Sequence, residues 1–360
     1  MNTLKKFLAS SPMIPPATAL YLADLGEARG KQELFTRQSP QKLKTLREHA
    51  LIESAVSSNR MEGVTVDRSR VATVIFGKSL LRDRDEEEVR GYRDALKLIH
   101  DKGDKLEVSE DTIKRLHALA RANVGDAGRY KEKDSDIVER YPDGRERVRF
   151  KTVAASDTAE SMASLLTLWH QGLEDRRVPP LVLMAAWNLD FLCIHPFRDG
   201  NGRVSRLMLL LQSYHLGYEA GRYISIERLI EENKDRYYET LEQSSTRWHE
   251  AKHDPWPYLN FIMYVLKQVY KEFEERVGRT TAPRGAKTAL ILDVIAKMDG
   301  DFSIAELQAG SLGVGIDMIR NILKKERDAG RMECLGRGRD AKWRRAKSKR
   351  RVTPKRGRNR

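Results

Sequence analysis

The stretch HPFRDGNGRVSR, His195 to Arg206, gathers an imidazole, a carboxylate, two glycines around an asparagine and three arginines within twelve residues. RDGNG does not readily continue a helix, whereas RVSRLMLLLQSYHLG starts one, so Gly200, Asn201 and Gly202 are expected to form the loop at a helix N-terminus. Such a place is an anion site. Glycines let backbone approach a phosphate, the first amides of a helix point outward, and the helix dipole adds partial positive charge. Arg203 and Arg206, three apart, share one face of the first turn and can fork onto further phosphate oxygens, so the set can hold three phosphates. Asp199 supplies the kind of oxygen that Mg²⁺ takes when it bridges phosphates, and His195, four residues earlier, suits a general base that removes a proton from an attacking hydroxyl. Singly, each part has an ordinary use: a His caps a helix, GNG turns a chain, arginines face water. Together they are harder to dismiss, because cations at a helix start cost ~0.3–1 kcal/mol each unless an anion is present.

The elements that must position these groups are mostly helical. PPLVLMAAWNLDFLCIH is apolar nearly all round, as a buried helix is, and ends at His195. QSPQKLKTLREHALIESAVSSNRMEG carries Leu43, Leu46, Ala50, Leu51 and Ala55 near helical spacing and is expected to stop at Gly63. DEEEVRGYRDALKLIHD, SEDTIKRLHALARAN and AESMASLLTLWHQGLED read as three more helices. IVERY and RERVRF flank the turn signal PDG and predict a β-hairpin at about 130–150 in this helical setting.

Composition sets the outer bounds. At 360 residues the chain should split into two or three domains. No window approaches a membrane span and the N-terminus lacks the apolar run of a signal peptide, so the expectation is a cytoplasmic protein with no membrane partner. Cys193 and Cys334 are too few and too far apart for a disulfide framework or a zinc pattern. The net charge of +14 is local: residues 331–360 hold fourteen Lys/Arg against Glu333 and Asp340, leaving about +2 for the rest.

The stretch from His195 to Arg206 resembles the signature of the Fic family at every fixed position. The resemblance implies a mainly α fold, a Fic helical core with a small β-hairpin flap, and transfer of AMP from ATP to a hydroxyl side chain of a target protein with Mg²⁺ as cofactor. It implies that His195 deprotonates that hydroxyl, Asp199 binds Mg²⁺, Gly200, Asn201 and Gly202 cradle phosphates, Arg203 grips the β-phosphate and Arg206 the γ-phosphate, while Phe197 anchors the loop. NKDRYYETL resembles the helix that follows in the family, which places Asn233 and Tyr237 at the nucleotide. The hairpin at 130–150 looks like the flap that holds a target segment as an added strand. SNRMEG, Ser58 to Gly63, is similar to the family's inhibitory motif at the end of an N-terminal helix, which implies that Glu62 pairs with Arg206 and occupies the γ-phosphate position.

Beyond the linker TTAPRGAK, the order helix, helix, helix, strand-turn-strand suggests a C-terminal winged helix-turn-helix domain, with Gly336 and Gly338 shaping the wing. The expected layout is a helical region with the inhibitory helix over 1–100, a catalytic core over 101–280, the winged helix over 281–346 and a basic tail over 347–360. DNA is the expected partner of 281–360, with protein docking as the alternative, and a homodimer is the assembly to test. Against the adenylyltransferase stand a DNA-binding regulator whose core only senses nucleotide, and an enzyme that removes AMP or transfers another nucleotide.

Overall fold

The computed structural model describes residues 2–36, 40–77, 80–122, 125–140, 143–278, 286–298, 300–311, 314–336, 338 and 341–346. It divides into two compact units, 1–277 and 278–360. The linker residues 279–285 and the tail 347–360 lie outside the described residues.

At the centre of the first unit is α8 (Pro180–Ile194), started by Pro179 and Pro180 and buried at every position from Leu181 to Ile194. Fully burying large apolar side chains such as Leu, Phe and Met stabilises by ~1.5–3 kcal/mol each, which makes this helix the natural anchor of the fold. It packs against α1 (Asn2–Ala9), α7 (Ala155–Asp175) and α9 (Asn201–His215). One carboxylate sits inside that apolar helix for a reason: Asp190, wholly buried, accepts from the first amides of α1, Thr3 at 3.1 Å and Leu4 at 3.0 Å, and from the Trp248 indole at 2.6 Å. It caps a helix start whose donors would otherwise be buried without partners.

Around this centre run α2 (Pro16–Thr36), α3 (Pro40–Met61), α4 (Val71–Phe76), α5 (Arg84–Lys102), α6 (Glu110–Ala120), α10 (Ile226–Glu232), α11 (Lys234–Ser245) and α12 (Trp256–Gly278). Asp83 and Ser109 cap α5 and α6, each accepting from the amide three residues on. The expected hairpin is present: β1 (Ile137–Arg140) pairs antiparallel with β2 (Glu146–Phe150). The described residues before and after position 100 share one core.

Two boundaries differ from the sequence reading. Helix α9 begins at Asn201, so of the three expected loop residues only Gly200 lies outside it, as the N-cap at φ +84°. Its left-handed backbone makes the turn that would otherwise have needed the two residues after it. Helix α3 ends at Met61, so Glu62 stands in the turn just beyond, where the Glu62 amide bonds Asn59 O and Gly63 closes the turn at φ +81°.

In the second unit, α13 (Ala286–Lys297), α14 (Ile304–Gly310) and α15 (Ile316–Asp328) accompany a sheet of order β3-β5-β4, formed by β3 (Phe302–Ser303), β4 (Met332–Cys334) and β5 (Lys342–Arg345). The strand β3 was not foreseen; two residues give no alternation to read. The unit has its own core, with Ile291, Leu307, Ile319 and Leu323 wholly buried and Phe302 and Trp343 nearly so. Gly338 takes φ +93° between β4 and β5. Among the described residues no helix is long and apolar enough to cross a membrane.

Candidate active site

His195 ends α8 as its C-cap, in a left-handed conformation at φ 54° and ψ 60° that non-glycine residues adopt rarely. This turns the ring out of the helix. Nδ1 lies 3.3 Å from Leu192 O, and a carbonyl only accepts, so Nδ1 carries the proton and Nε2 keeps its lone pair. Burial pushes the imidazole down to about 4, with Lys131 contributing in the same direction, so the ring is neutral at ordinary pH.

The loop after His195 is stapled rather than open. Phe197, wholly buried, stacks on His117 at 3.7 Å between ring centroids. Asn201 returns both halves of its amide to Phe197, Oδ1 accepting from the N–H at 2.9 Å and Nδ2 donating to the carbonyl at 2.7 Å. Asn201 therefore shapes the anion loop through its side chain and faces an anion only through its backbone. The α9 ladder starts with Val204 N–H to Gly200 O, so the amides of residues 201–203 have no acceptor within the helix, as an anion site requires. A Cβ on Gly202 would run into the Glu62 carboxylate, so with Glu62 in place that position has no room for a side chain.

The two arginines meet different partners. Arg206 is held by the end of α3 and the turn beyond it: Nε donates to Ser58 Oγ at 2.8 Å, and Nη2 donates to Ser58 O at 2.9 Å and to Glu62 Oε1 at 2.7 Å. Arg203, 1% exposed, donates to Glu88 Oε2 at 2.5 Å and more weakly to Asn59 Oδ1 and Ala120 O at 3.3 Å. Glu88 also accepts from Arg121, which reaches Asp199 Oδ2 at 2.6 Å, so a chain of opposite charges runs from α5 and α6 to the loop. Asp199 Oδ1 accepts from Gly200 N–H at 2.6 Å, yet its side chain stays half exposed.

His195, Glu62, Gly202, Arg206, Tyr237 and Tyr238 line one cavity of about 210 Å³, completed by Leu192 and Leu241 and by Ile137 and Phe150 of the hairpin. Ser58 joins the site through Arg206. Asn233 does not line this cavity, since its Nδ2 donates to Leu229 O at 2.8 Å at the end of α10.

Sequence reasoning missed His117, Arg121, Glu88, Asn59 and Lys131. His117 fixes the loop from α6: Gly128 N–H donates to its Nδ1 at 2.8 Å, so Nε2 is the protonated nitrogen and donates to Asp199 O at 2.9 Å. No local spacing marks these residues, whose partners lie up to 144 positions away.

The loop amides, the cations and the imidazole make an arrangement that can hold an anion beside a proton acceptor. Residues 107–213 match the model of the Fic/DOC family. The matched segment holds the His195 loop and the start of α9, while Glu62 and Ser58 precede it. The chain is similar to a protein adenylyltransferase Fic of Nematostella vectensis, 26% identical over 172 residues, or 44% of this chain and 36% of that protein. The match thus spans little more than a third of the relative's length. Among solved structures, a Fic family protein from Desulfovibrio desulfuricans superposes with a TM-score of 0.60 over 94% of this chain and 99% of that one, at 24% identity. A Fic domain containing signaling protein from Bacteroides thetaiotaomicron gives 0.59 over 71% and 98%, at 20% identity. At these identities the likeness is one of fold.

Proposed function

We propose that the protein is an adenylyltransferase that moves AMP from ATP to a hydroxyl side chain of a target protein and of itself, and that Glu62 holds it in check. The observation that carries this reading is that His195, with a lone pair on Nε2, and Arg206, bonded to Glu62, line the same cavity. The target oxygen attacks the α-phosphorus while Nε2 takes its proton. The bond from the α-phosphorus to the bridging oxygen breaks, and pyrophosphate leaves. The chain's share is positioning and charge neutralisation: the amides of residues 201–203 and Arg206 face the phosphates, and Tyr237 and Tyr238 offer apolar walls to the nucleoside. Arg203 is held to Glu88 through Nη1, and its Nη2, 3.9 Å from Asp199 Oδ2, is the donor on the loop side.

Asp199 fits Mg²⁺ in a limited way: it is a half-exposed carboxylate at an anion-binding helix start, and among the described residues no group of three acidic, His or Cys side chains stands ready as a cage. A Mg²⁺ ion held by Asp199 would draw its other ligands from substrate phosphates and water, and would neutralise the developing charge. Glu62 blocks the site sterically against Gly202 and electrostatically at Arg206. The hairpin, with Val138 and Val148 exposed as cross-strand partners, suits a target segment added as a strand.

We read the second unit as a winged helix, supported by its helix-strand-helix-helix-strand-strand order and the central β5. DNA is its proposed partner through 281–360, with the basic charge as support, although Arg320, Arg327 and Arg331 each pair with an acid of α15. A cytoplasmic setting and a homodimer stay proposals of the same rank.

The test is labelling of the Glu62→Gly protein and a cell lysate with ATP carrying the label at the α- or the γ-phosphate. AMP transfer incorporates only the α-label, and adding His195→Ala abolishes it while ATP binding persists. Labelling from the γ-position, or labelling that survives the loss of His195, would overturn the reading.

A further inference from the structure

Lys131 stands between β1 and the loop of His195 and is only 5% exposed. Among the described residues no carboxylate pairs with it, and burial lowers its ammonium to about 8, with Asp134 and Asp136 pulling the other way. A buried cation without a counter-ion is costly, and a Met of similar length would fill the space at less expense. What the ammonium does there is visible in its bonds. Nζ donates to Ile194 O at 3.2 Å, and the backbone N–H of the same residue donates to Pro196 O at 2.9 Å. One residue therefore grips the carbonyls on both sides of His195, whose left-handed backbone is a strained conformation that the surroundings must hold. Ile194 O is also among the last carbonyls of α8, where the helix dipole favours a cation.

The grip continues outward. Nζ donates to Thr152 Oγ1 at 2.8 Å, and that hydroxyl donates to Ser135 O at 2.8 Å. Ser135 lies two residues before β1 and Thr152 two residues after β2, so this bond closes the stem of the hairpin. We propose that Lys131 is a positioning residue that fixes the peptide of His195 and ties the general base to the stem of the hairpin. The inference rests on the reading of His195 as the base. Its consequence is that the hairpin stem and His195 move as one body, so a segment bound to the hairpin meets a ring already in register.

The experiment uses the full chain with Glu62→Gly, to which Lys131→Met, Lys131→Arg or Thr152→Val is added. Initial rates of self-labelling against ATP concentration are read together with hydrogen exchange without nucleotide. Lys131→Met should lower kcat by about ten- to a hundredfold with KM for ATP within about twofold, because it displaces the base and leaves the anion loop. Exchange should speed up at residues 195–197 and at 135–137, and stay unchanged in α5 and α12. Lys131→Arg, which keeps the charge and the donors, should recover part of kcat, and Thr152→Val should lower it severalfold in the same direction. An unchanged kcat, a fall in kcat with exchange unaltered, or faster exchange across the whole unit would overturn the assignment. If Lys131→Met does not fold, Thr152→Val decides by the same two readouts. If the Glu62→Gly parent itself shows no transfer, the adenylyltransferase reading has failed; the exchange pattern then decides on the clamp, and no change at 195–197 rejects it.

Discussion

At the residue scale, the chemistry turns on one nitrogen. His195 Nδ1–H is tied to Leu192 O, which leaves Nε2 free for the proposed role of proton acceptor, and burial keeps the ring neutral down to about pH 4. A base must be unprotonated, so its contribution is present above that value and is lost as pH falls through it. The rate of self-labelling should therefore show no acid limb near 6.5, where an ordinary imidazole titrates, and should fall only below about pH 5. A limb near 6.5 in the pH profile of kcat would mean that the ring is solvated in the working enzyme or that another group is the base. The types and spacing of His195, Asp199, Arg203 and Arg206 were legible because all four fall within one stretch of twelve residues. What each arginine touches was not: Arg203 and Arg206 share a helical face, yet one is bound by Glu88 and the other by Ser58 and Glu62. Sequence spacing fixes direction along a helix, and the partner is supplied by the rest of the fold.

At the element scale, the site is a meeting of three chain ends: the C-terminus of α8, the N-terminus of α9 and the C-terminus of α3. The first two were readable from Pro179 and Pro180, the apolar run and the glycine-rich turn. The exact start of α9 was not, because Asn201 looked like a loop residue and is instead a first-turn residue whose side chain folds back on Phe197. Helix α3 is held against α10 by Ser54 to Ser225 at 2.9 Å and Arg60 to Glu231 at 3.0 Å, so its end is a docked element rather than a loose arm. Ser58 should share the restraint on Arg206. Ser58→Ala removes a bond to a charged donor, worth ~1.5–3 kcal/mol at most, but leaves the Ser58 carbonyl and Glu62 in place. We expect self-labelling to rise by about three- to tenfold, less than for Glu62→Gly. A rate at or below that of the wild type would show that this serine only packs the helix.

At the scale of the whole molecule, charge and chemistry are separated. The segment 107–213 that matches the Fic/DOC model and the end of α3 lie within the unit 1–277, whereas most of the net +14 belongs to 331–360. Deleting the residues beyond Thr281 should leave self-labelling by the Glu62→Gly protein within about twofold and remove DNA binding that weakens steeply with salt, as counterion release requires. Equal DNA affinity of the truncated and full chains would reject the winged-helix proposal, and lost labelling would show that the second unit supports the first. The linker composition and the charge shift place a boundary near 281, and the structure divides at 277/278. The single core shared by residues before and after position 100 was not legible, because helices of similar amphipathic pattern do not reveal which of them pack together.

In the proposed function, Glu62 keeps a competent transferase idle by occupying Arg206. The most direct measurement is the rate of self-labelling by wild type, Glu62→Gly, and Glu62→Gly with Arg206→Ala, at equal protein and ATP concentration. One partly buried pair of this kind biases two nucleotide poses by ~1–3 kcal/mol, so the single variant should run about five- to 150-fold faster than wild type. The double variant should fall back, since Arg206 is then missing as a phosphate ligand. No gain in the single variant, or an equal gain in the double variant, would contradict the account.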